Sequence, residues 1–181
     1  SKLDPKVLLI HGASSPKVRH LLNNLCSLST TSYLEIGCWH GSTWISALYA
    51  NHESISQAIG VDNWSEWNGE ELFYQNCNNF LSNSSFKFYP LDCFKIVPED
   101  IIKQPVTTYF YDGNPNFLEQ AFTHYNDSFD DVFIAVIDDW NWDVVREGTR
   151  KAFEKLYYDV LYDISLPARW NQDTDNWWNG L

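Results

Sequence analysis

The glycine turn at residues 33–44, Tyr-Leu-Glu-Ile-Gly-Cys-Trp-His-Gly-Ser-Thr-Trp, lacks two features of the common phosphate-binding loops. No lysine follows its second glycine, which argues against a P-loop. The third glycine of the dinucleotide-binding fingerprint is also missing. The four cysteines (Cys26, Cys38, Cys77, Cys93) contain no Cys-x-x-Cys pair, and no apolar stretch suits a signal peptide or a membrane helix. A reduced, cytoplasmic protein is therefore expected, unless an export signal has been removed. Without export, the glycosylation-type tripeptides at Asn63, Asn83 and Asn126 are chance matches. Basic residues are scarce, with 12 against 24 acidic ones and a net charge of -12. That balance opposes nucleic acid and anionic membranes as partners and leaves a small-molecule acceptor. Arg146, Arg150, Lys151 and Lys155 recur at helical spacing among Glu147 and Glu154, as on one solvated helix face. Methionine is absent altogether, whereas tryptophan occurs nine times.

A chain of 181 residues reads as a single domain, 1–181, able to bury about 70% of its unfolded surface. Residues 1–30 read as an N-terminal helical segment, because Val18, Leu21, Leu22, Leu25 and Leu28 keep a three-to-four spacing after Pro16. Strands are expected at 32–37, 57–61, 86–90, 106–111, 132–138 and 158–164, alternating with helices at 42–50, 69–82, 98–103, 115–126 and 143–156. Asn114 serves as N-cap of the fourth of these helices, with Pro115 at its first position. The run from Val132 to Ile137 is apolar on both faces, the pattern of a central parallel strand. Together these predict an α/β fold with a doubly wound, mostly parallel sheet of Rossmann-like type. Residues 165–181 are a C-terminal tail or the start of a last hairpin.

In such a sheet ligands lie beyond the carboxyl ends of the strands. Gly37 allows a sharp turn there, Gly41 allows close approach, and the amides of the helix opened by Ser42 and Thr43 face an anion. Glu35 offers an acceptor to a cationic group, so the loop, including Trp39 and His40, suits a zwitterion. Asp62 stands about twenty residues on, followed by Asn63 and Trp64, where a carboxylate can accept from two ribose hydroxyls. Asp92, with Cys93 and Phe94, can accept from an exocyclic amine, and Phe94 or Trp64 offers a flat surface to a base. An adenosine with a zwitterionic tail is S-adenosylmethionine. An NAD enzyme is disfavoured by the missing glycine and by Glu35.

Asp112, Asp138 and Asp139 end two further strands, with no basic residue nearby in sequence before Arg146. A divalent cation held by oxygen ligands, magnesium above all, would relieve their repulsion. Asp112 in a turn and Asp139 as a helix cap explain the same residues, and the sequence leaves both readings open. Trp64, Trp67, Trp140 and Trp142 fall on post-strand loops, either as an acceptor wall or as buried anchors. The five histidines show no ligand pair. His40 reads as lining the cofactor site, His124 as a surface residue, and no histidine pairs with Cys38 or Cys93 for thiolate chemistry.

These residues resemble a class I S-adenosylmethionine-dependent methyltransferase over about 16–181. Tyr-Leu-Glu-Ile-Gly-Cys-Trp-His-Gly-Ser-Thr, Val-Asp-Asn-Trp, Leu-Asp-Cys-Phe, Tyr-Asp-Gly and Val-Ile-Asp-Asp-Trp follow in the family's order. The Asp-Gly and Asp-Asp pairs are similar to those of the metal-dependent O-methyltransferases, the macrocin and catechol types. The resemblance implies methyl transfer to a hydroxyl, catalytic roles for Asp112 and Asp138, contact of Asp112 with the cofactor, and magnesium on Asp112, Asp138 and Asp139. It also implies seven strands, the last antiparallel. Two positions depart from that pattern: Asn114 stands where the sugar enzymes place a general base, and Pro115 where the catechol type has a lysine. Trp-Trp-Asn-Gly-Leu resembles the approach to the last strand, yet the chain stops at Leu181. Either the chain is cut short or another chain completes the sheet edge, as in a homo-oligomer. The alternative function is a binding protein that keeps the fold and has lost turnover.

Overall fold

The first helix, α1 (Pro16–Leu25), starts where Ser15 Oγ accepts from the amide of Val18 and Pro16 takes the first helical position. From there the computed structural model, which describes residues 1–28, 30–81 and 86–181, alternates strands and helices. The strands are β1 (Thr31–Ile36), β2 (Ile55–Val61), β3 (Lys87–Tyr89), β4 (Val106–Tyr111) and β5 (Phe129–Ile137). Between and after them lie α2 (Ser42–Leu48), α3 (Glu70–Phe80), α4 (Pro98–Ile101), α5 (Leu118–Tyr125) and α6 (Asp143–Leu156). Asn83 lies outside the described residues.

All strand pairs are parallel, in the order β3-β2-β1-β4-β5, and the sheet is open. Helices cover both faces, so the sheet is doubly wound. On one face Val18, Leu22, Trp44, Ile45 and Phe73 pack together. Opposite, Leu34, Ile59, Tyr109, Phe122, Tyr125 and Val145 form the second core. β1 is buried along its whole length, which follows from its central place between β2 and β4. The reversal of strand order between β1 and β4 puts the switch point beside the glycine turn.

Four expectations need correction. β5 is an edge strand among the described residues, not a central one, with Val132 68% and Ile134 39% exposed. An apolar run does not reveal how many neighbours a strand has. Residues 158–164 form no strand, and Val160, Leu161, Tyr162 and Ile164 stand exposed. Tyr157 ends α6 in a left-handed conformation (φ +58°), and no described strand lies beside β5 for the segment to pair with. The sheet therefore has five described strands rather than the seven implied by resemblance, and none is antiparallel. The expected helix at 115–126 also divides, into a tight turn at Pro115–Phe117 followed by α5.

The tail folds back over the end of β5. Leu166 and Leu181 exchange both backbone hydrogen bonds (2.9 and 3.1 Å), and the amides of Trp140 and Asn141 donate to Gly180 and Asn179. Leu181 is buried against the first core. No helix among the described residues is long and apolar enough to cross a membrane.

Candidate active site

The loop after β1 is shaped by two left-handed glycines, Gly37 (φ +88°) and Gly41 (φ +83°). A Cβ on Gly37 would meet the Asp112 carbonyl oxygen at 2.1 Å, so the loops after β1 and β4 lie in direct contact. Between the glycines, Trp39 is also left-handed (φ +41°), which costs roughly 1–3 kcal/mol for a bulky residue and persists only when its surroundings enforce it. Asp62 supplies that enforcement. Its Oδ2 accepts from the amides of Cys38 (2.8 Å) and Trp39 (2.7 Å), and its Oδ1 accepts from Trp64 N (2.7 Å). Trp39 and Trp64 are cross-tied further: Trp64 Nε1 donates to Trp39 O and Trp39 Nε1 donates to Asn68 O.

Asp62 was expected to face ribose hydroxyls. Three of its roughly four acceptor positions are instead spent on backbone amides, leaving about one on Oδ1. Glu35 is displaced more completely from its expected role. Its carboxylate is fully buried, accepting from Tyr33 Oη and Thr43 Oγ1 at 2.6 Å each, and burial pushes its pKa up to about 7. It clamps β1 to α2 beneath the loop rather than presenting a charge above it. Ser42 and Thr43 are buried with it, and α2 runs only seven residues. What stays accessible on this side is Gly37, Trp39, Asp62, Asn63 and Trp64, while His40 is largely covered.

On the third strand's loop, Asp92 caps the turn Cys93–Lys95 by accepting from Phe94 N. Phe94 is half-buried, edge-on to Phe117 at 6.0 Å and to His124 at 5.7 Å. Burial pushes the Cys93 thiol up to about 12 and that of Cys38 well above its usual range, so neither is a nucleophile. His124 pairs with the carbonyl of Ile96 at 2.9 Å, a structural contact.

Asp112, Asp138 and Asp139 converge at the ends of β4 and β5, whose backbones are joined by Asp138 N donating to Tyr111 O. Burial raises all three pKa values. For Asp112 repulsion from Asp138 and Asp139 adds to it, and for Asp138 repulsion from Asp139 does the same. Asp138 is 3% exposed, and while its Oδ1 accepts from Asp139 N, its buried Oδ2 has no partner among the described residues. Asp139 adopts a left-handed backbone (φ +59°) and its Oδ1 accepts from Asn179 Nδ2 at 2.6 Å. Oxygen donors of the right chemistry for the expected three-aspartate magnesium centre are present, with Asn179 bonded to one oxygen of Asp139, but among the described residues no group of three or more such side chains is arranged to hold a metal ion.

Asn179 had no signal in the sequence, standing forty residues from its partner. Glu66 was missed as well: Asn114 Nδ2 donates to its Oε1 at 2.6 Å, which brings a carboxylate to the loop after β4. Of the four loop tryptophans, Trp64 packs against Phe73 and Phe88, and Trp140 donates to Ser165 Oγ. Trp67 and Trp142 are exposed. Two open hollows elsewhere, one by Glu53 and Ser56 and one by Lys103 and Asp127, lie at the amino-terminal edge of the sheet, away from these groups.

No family model matches this sequence, and no curated protein matches it by sequence. Solved structures do match it. The O-methyltransferase from Bacillus cereus in complex with S-adenosylhomocysteine (SAH) is 13% identical with TM-score 0.67, over 97% of this chain and 82% of that one. The O-methyltransferase TomG from Streptomyces achromogenes, in complex with S-adenosylmethionine, is 18% identical with TM-score 0.66, over 99% and 88%. Precorrin 8w decarboxylase of Methanobacterium thermoautotrophicum is 11% identical with TM-score 0.65, over 86% and 77%. Identities this low speak for architecture alone, and together with the strand order and the glycine turn they give the conclusion that this chain has the class I O-methyltransferase-like, Rossmann-type fold.

Proposed function

We propose that the protein transfers the methyl group of S-adenosylmethionine to a hydroxyl oxygen of a small acceptor. The observation that carries this reading is the contact of Gly37 with the backbone of Asp112, which joins the glycine loop to the acidic rim in one site. The bound cofactors of the B. cereus enzyme and TomG support the choice of cofactor. When bound, S-adenosylmethionine supplies an electrophilic methyl group. Phe94 offers a flat surface for the base, and the free position on Asp62 Oδ1 accepts from a ribose hydroxyl.

On the acceptor side, the unpartnered Asp138 Oδ2 receives the hydrogen bond of the hydroxyl. As the oxygen bonds to the methyl carbon and the carbon–sulfur bond breaks, the hydroxyl proton passes to Asp138 in its ionised form. Asp112 lies beside it and holds the acceptor in line. The four free thiols support a reducing, cytoplasmic setting.

A lapsed, cofactor-binding protein is the second reading. It is favoured by Asn114, whose side chain is spent on Glu66 and Asn116. Calorimetric titration of S-adenosylmethionine and, separately, NAD tests the cofactor. Binding of the first alone is the expected result, and binding of NAD alone would overturn it. Methyl transfer to hydroxylated acceptors then separates enzyme from binding protein.

A further inference from the structure

Between the turn at Val7–Leu9 and α1, the chain crosses the outer side of the glycine loop, and a buried arginine shapes it. Arg19 is 4% exposed and all its partners are neutral. Its Nη1 donates to the carbonyls of Ile10 (2.8 Å) and Leu8 (3.3 Å), its Nε to Ser14 Oγ (2.8 Å) and its Nη2 to Ser14 O (3.4 Å). Burial without a counter-charge lowers its pKa to about 10. Its donors are thus spent on fixing the path of residues 8–14. Along that path Gly12 lies flat on the start of α2, where a Cβ would sit 1.9 Å from Ser42 Oγ. His11 reaches the loop itself. Its Nδ1 is 3.2 Å from His40 Nδ1, and its ring meets Trp39 edge-on at 5.3 Å. His40 in turn stacks on Trp39 at 3.9 Å. At the far end Ser15 Oγ donates to Asn176 O and Lys17 Nζ donates to Asn176 Oδ1, so the tail pins the segment too.

We propose that residues 10–15 form a strap that holds the glycine loop in its cofactor-binding shape, with His11 as the positioning residue that latches the strap onto His40. The proposal rests on the S-adenosylmethionine reading of the loop. The latch needs an unprotonated ring, because two imidazole nitrogens 3.2 Å apart share one proton. With both rings protonated no acceptor remains and two like charges face each other. Around the pair, the strap side contributes the cation of Arg19, and the loop after β2 contributes Asp62, already spent on the loop amides, and the carbonyl of Asn68. α3 contributes the neutral Asn76, whose Nδ2 donates to His40 O. Burial, then the charge of His11, hold the His40 pKa below its usual range, against backbone hydrogen bonds at Asn68 and His11 that raise it. The strap is therefore closed at neutral pH and released on acidification, which withdraws support from the left-handed Trp39.

Two measurements test this: histidine ring-proton NMR titration of the ligand-free protein, and SAH titration at about pH 8 and at a pH below the His40 titration that the NMR reads, the two sides of the lowered His40 value. In the wild type, SAH affinity should fall about tenfold on acidification, the equivalent of one pKa unit. His11→Asn should bind at pH 8 as weakly as the wild type does below the His40 titration, show little pH dependence, and let the His40 titration rise towards its ordinary value. Gly12→Val, which changes no titrating group, should weaken SAH binding at both pH values. Wild-type affinity and pH profile in His11→Asn would overturn the latch, and wild-type affinity in Gly12→Val would overturn the strap. Should the wild type bind no SAH at any pH, the cofactor reading fails, and the latch is then judged by NMR alone: a His40 titration unmoved by His11→Asn overturns it.

Discussion

Asp62 holds Trp39 in a left-handed turn: one carboxylate oxygen accepts the Trp39 amide at 2.7 Å and the Cys38 amide at 2.8 Å, tying the loop after β1 to the end of β2. The same carboxylate has one position left for a ligand, so loop shape and ligand contact depend on a single side chain.

Asp62→Ala should therefore weaken S-adenosylmethionine binding by about 1–3 kcal/mol, the scale of charge-assisted hydrogen bonds lost from a half-buried site. Thermal stability should fall with it, because Trp39 loses the contact that offsets its strained backbone. Calorimetry with a parallel melting curve checks both. Unchanged affinity with lowered stability would mean that Asp62 serves only the loop.

Asp138→Asn should separate stability from turnover. The wild-type side chain is buried next to two other carboxylates with one oxygen unpartnered, and the amide removes its charge. Chemical denaturation should show a gain of about 1 kcal/mol, as expected when a strained functional group is neutralised. Methyl transfer should fall roughly 10²–10⁴-fold, the usual contribution of a positioned base, with cofactor affinity nearly intact. Equal turnover in both proteins would remove Asp138 from the proposed chemistry.

Stability should decline as pH rises from the ordinary glutamate range towards about 7, the raised pKa of the buried Glu35 carboxyl. In that window the native protein keeps a proton that the unfolded chain has released, so each pH unit weakens the fold. The contribution is fully present below the unfolded value and lost as pH passes the folded one. The loss amounts to roughly 3 kcal/mol at about 1.4 kcal/mol per unit. The raised pKa values of Asp112, Asp138 and Asp139 act in the same direction. Urea denaturation across the range should give a shallower slope for Glu35→Gln than for the wild type.

Asn179→Ala frees the Asp139 carboxylate, now occupied at 2.6 Å. Three carboxylates would then stand without that donor, and magnesium should bind more tightly than to the wild type, by about tenfold for one charge-assisted hydrogen bond released. Titration of magnesium into both proteins measures this. Equal affinity would show that the tail does not control the acidic rim.

Local pattern was enough to place β1, its glycine turn and the acids that end β2, β4 and β5. Backbone periodicity and the left-handed turns at Gly37 and Gly41 depend on neighbours in sequence. What each acid touches depends on residues brought together from far along the chain. Glu35 went beneath the loop because Tyr33 and Thr43 close around it, and Asp62 turned to amides twenty-three and twenty-four residues away. Asp139 met Asn179 only because the tail folds across β5. The apolar run of β5 and the alternating residues 158–164 looked alike as strands, but an edge position and the want of a described neighbour separated them. Strand-forming pattern is a property of the sequence, whereas pairing, burial and the direction of a carboxylate's lone pairs are decided by which elements pack together.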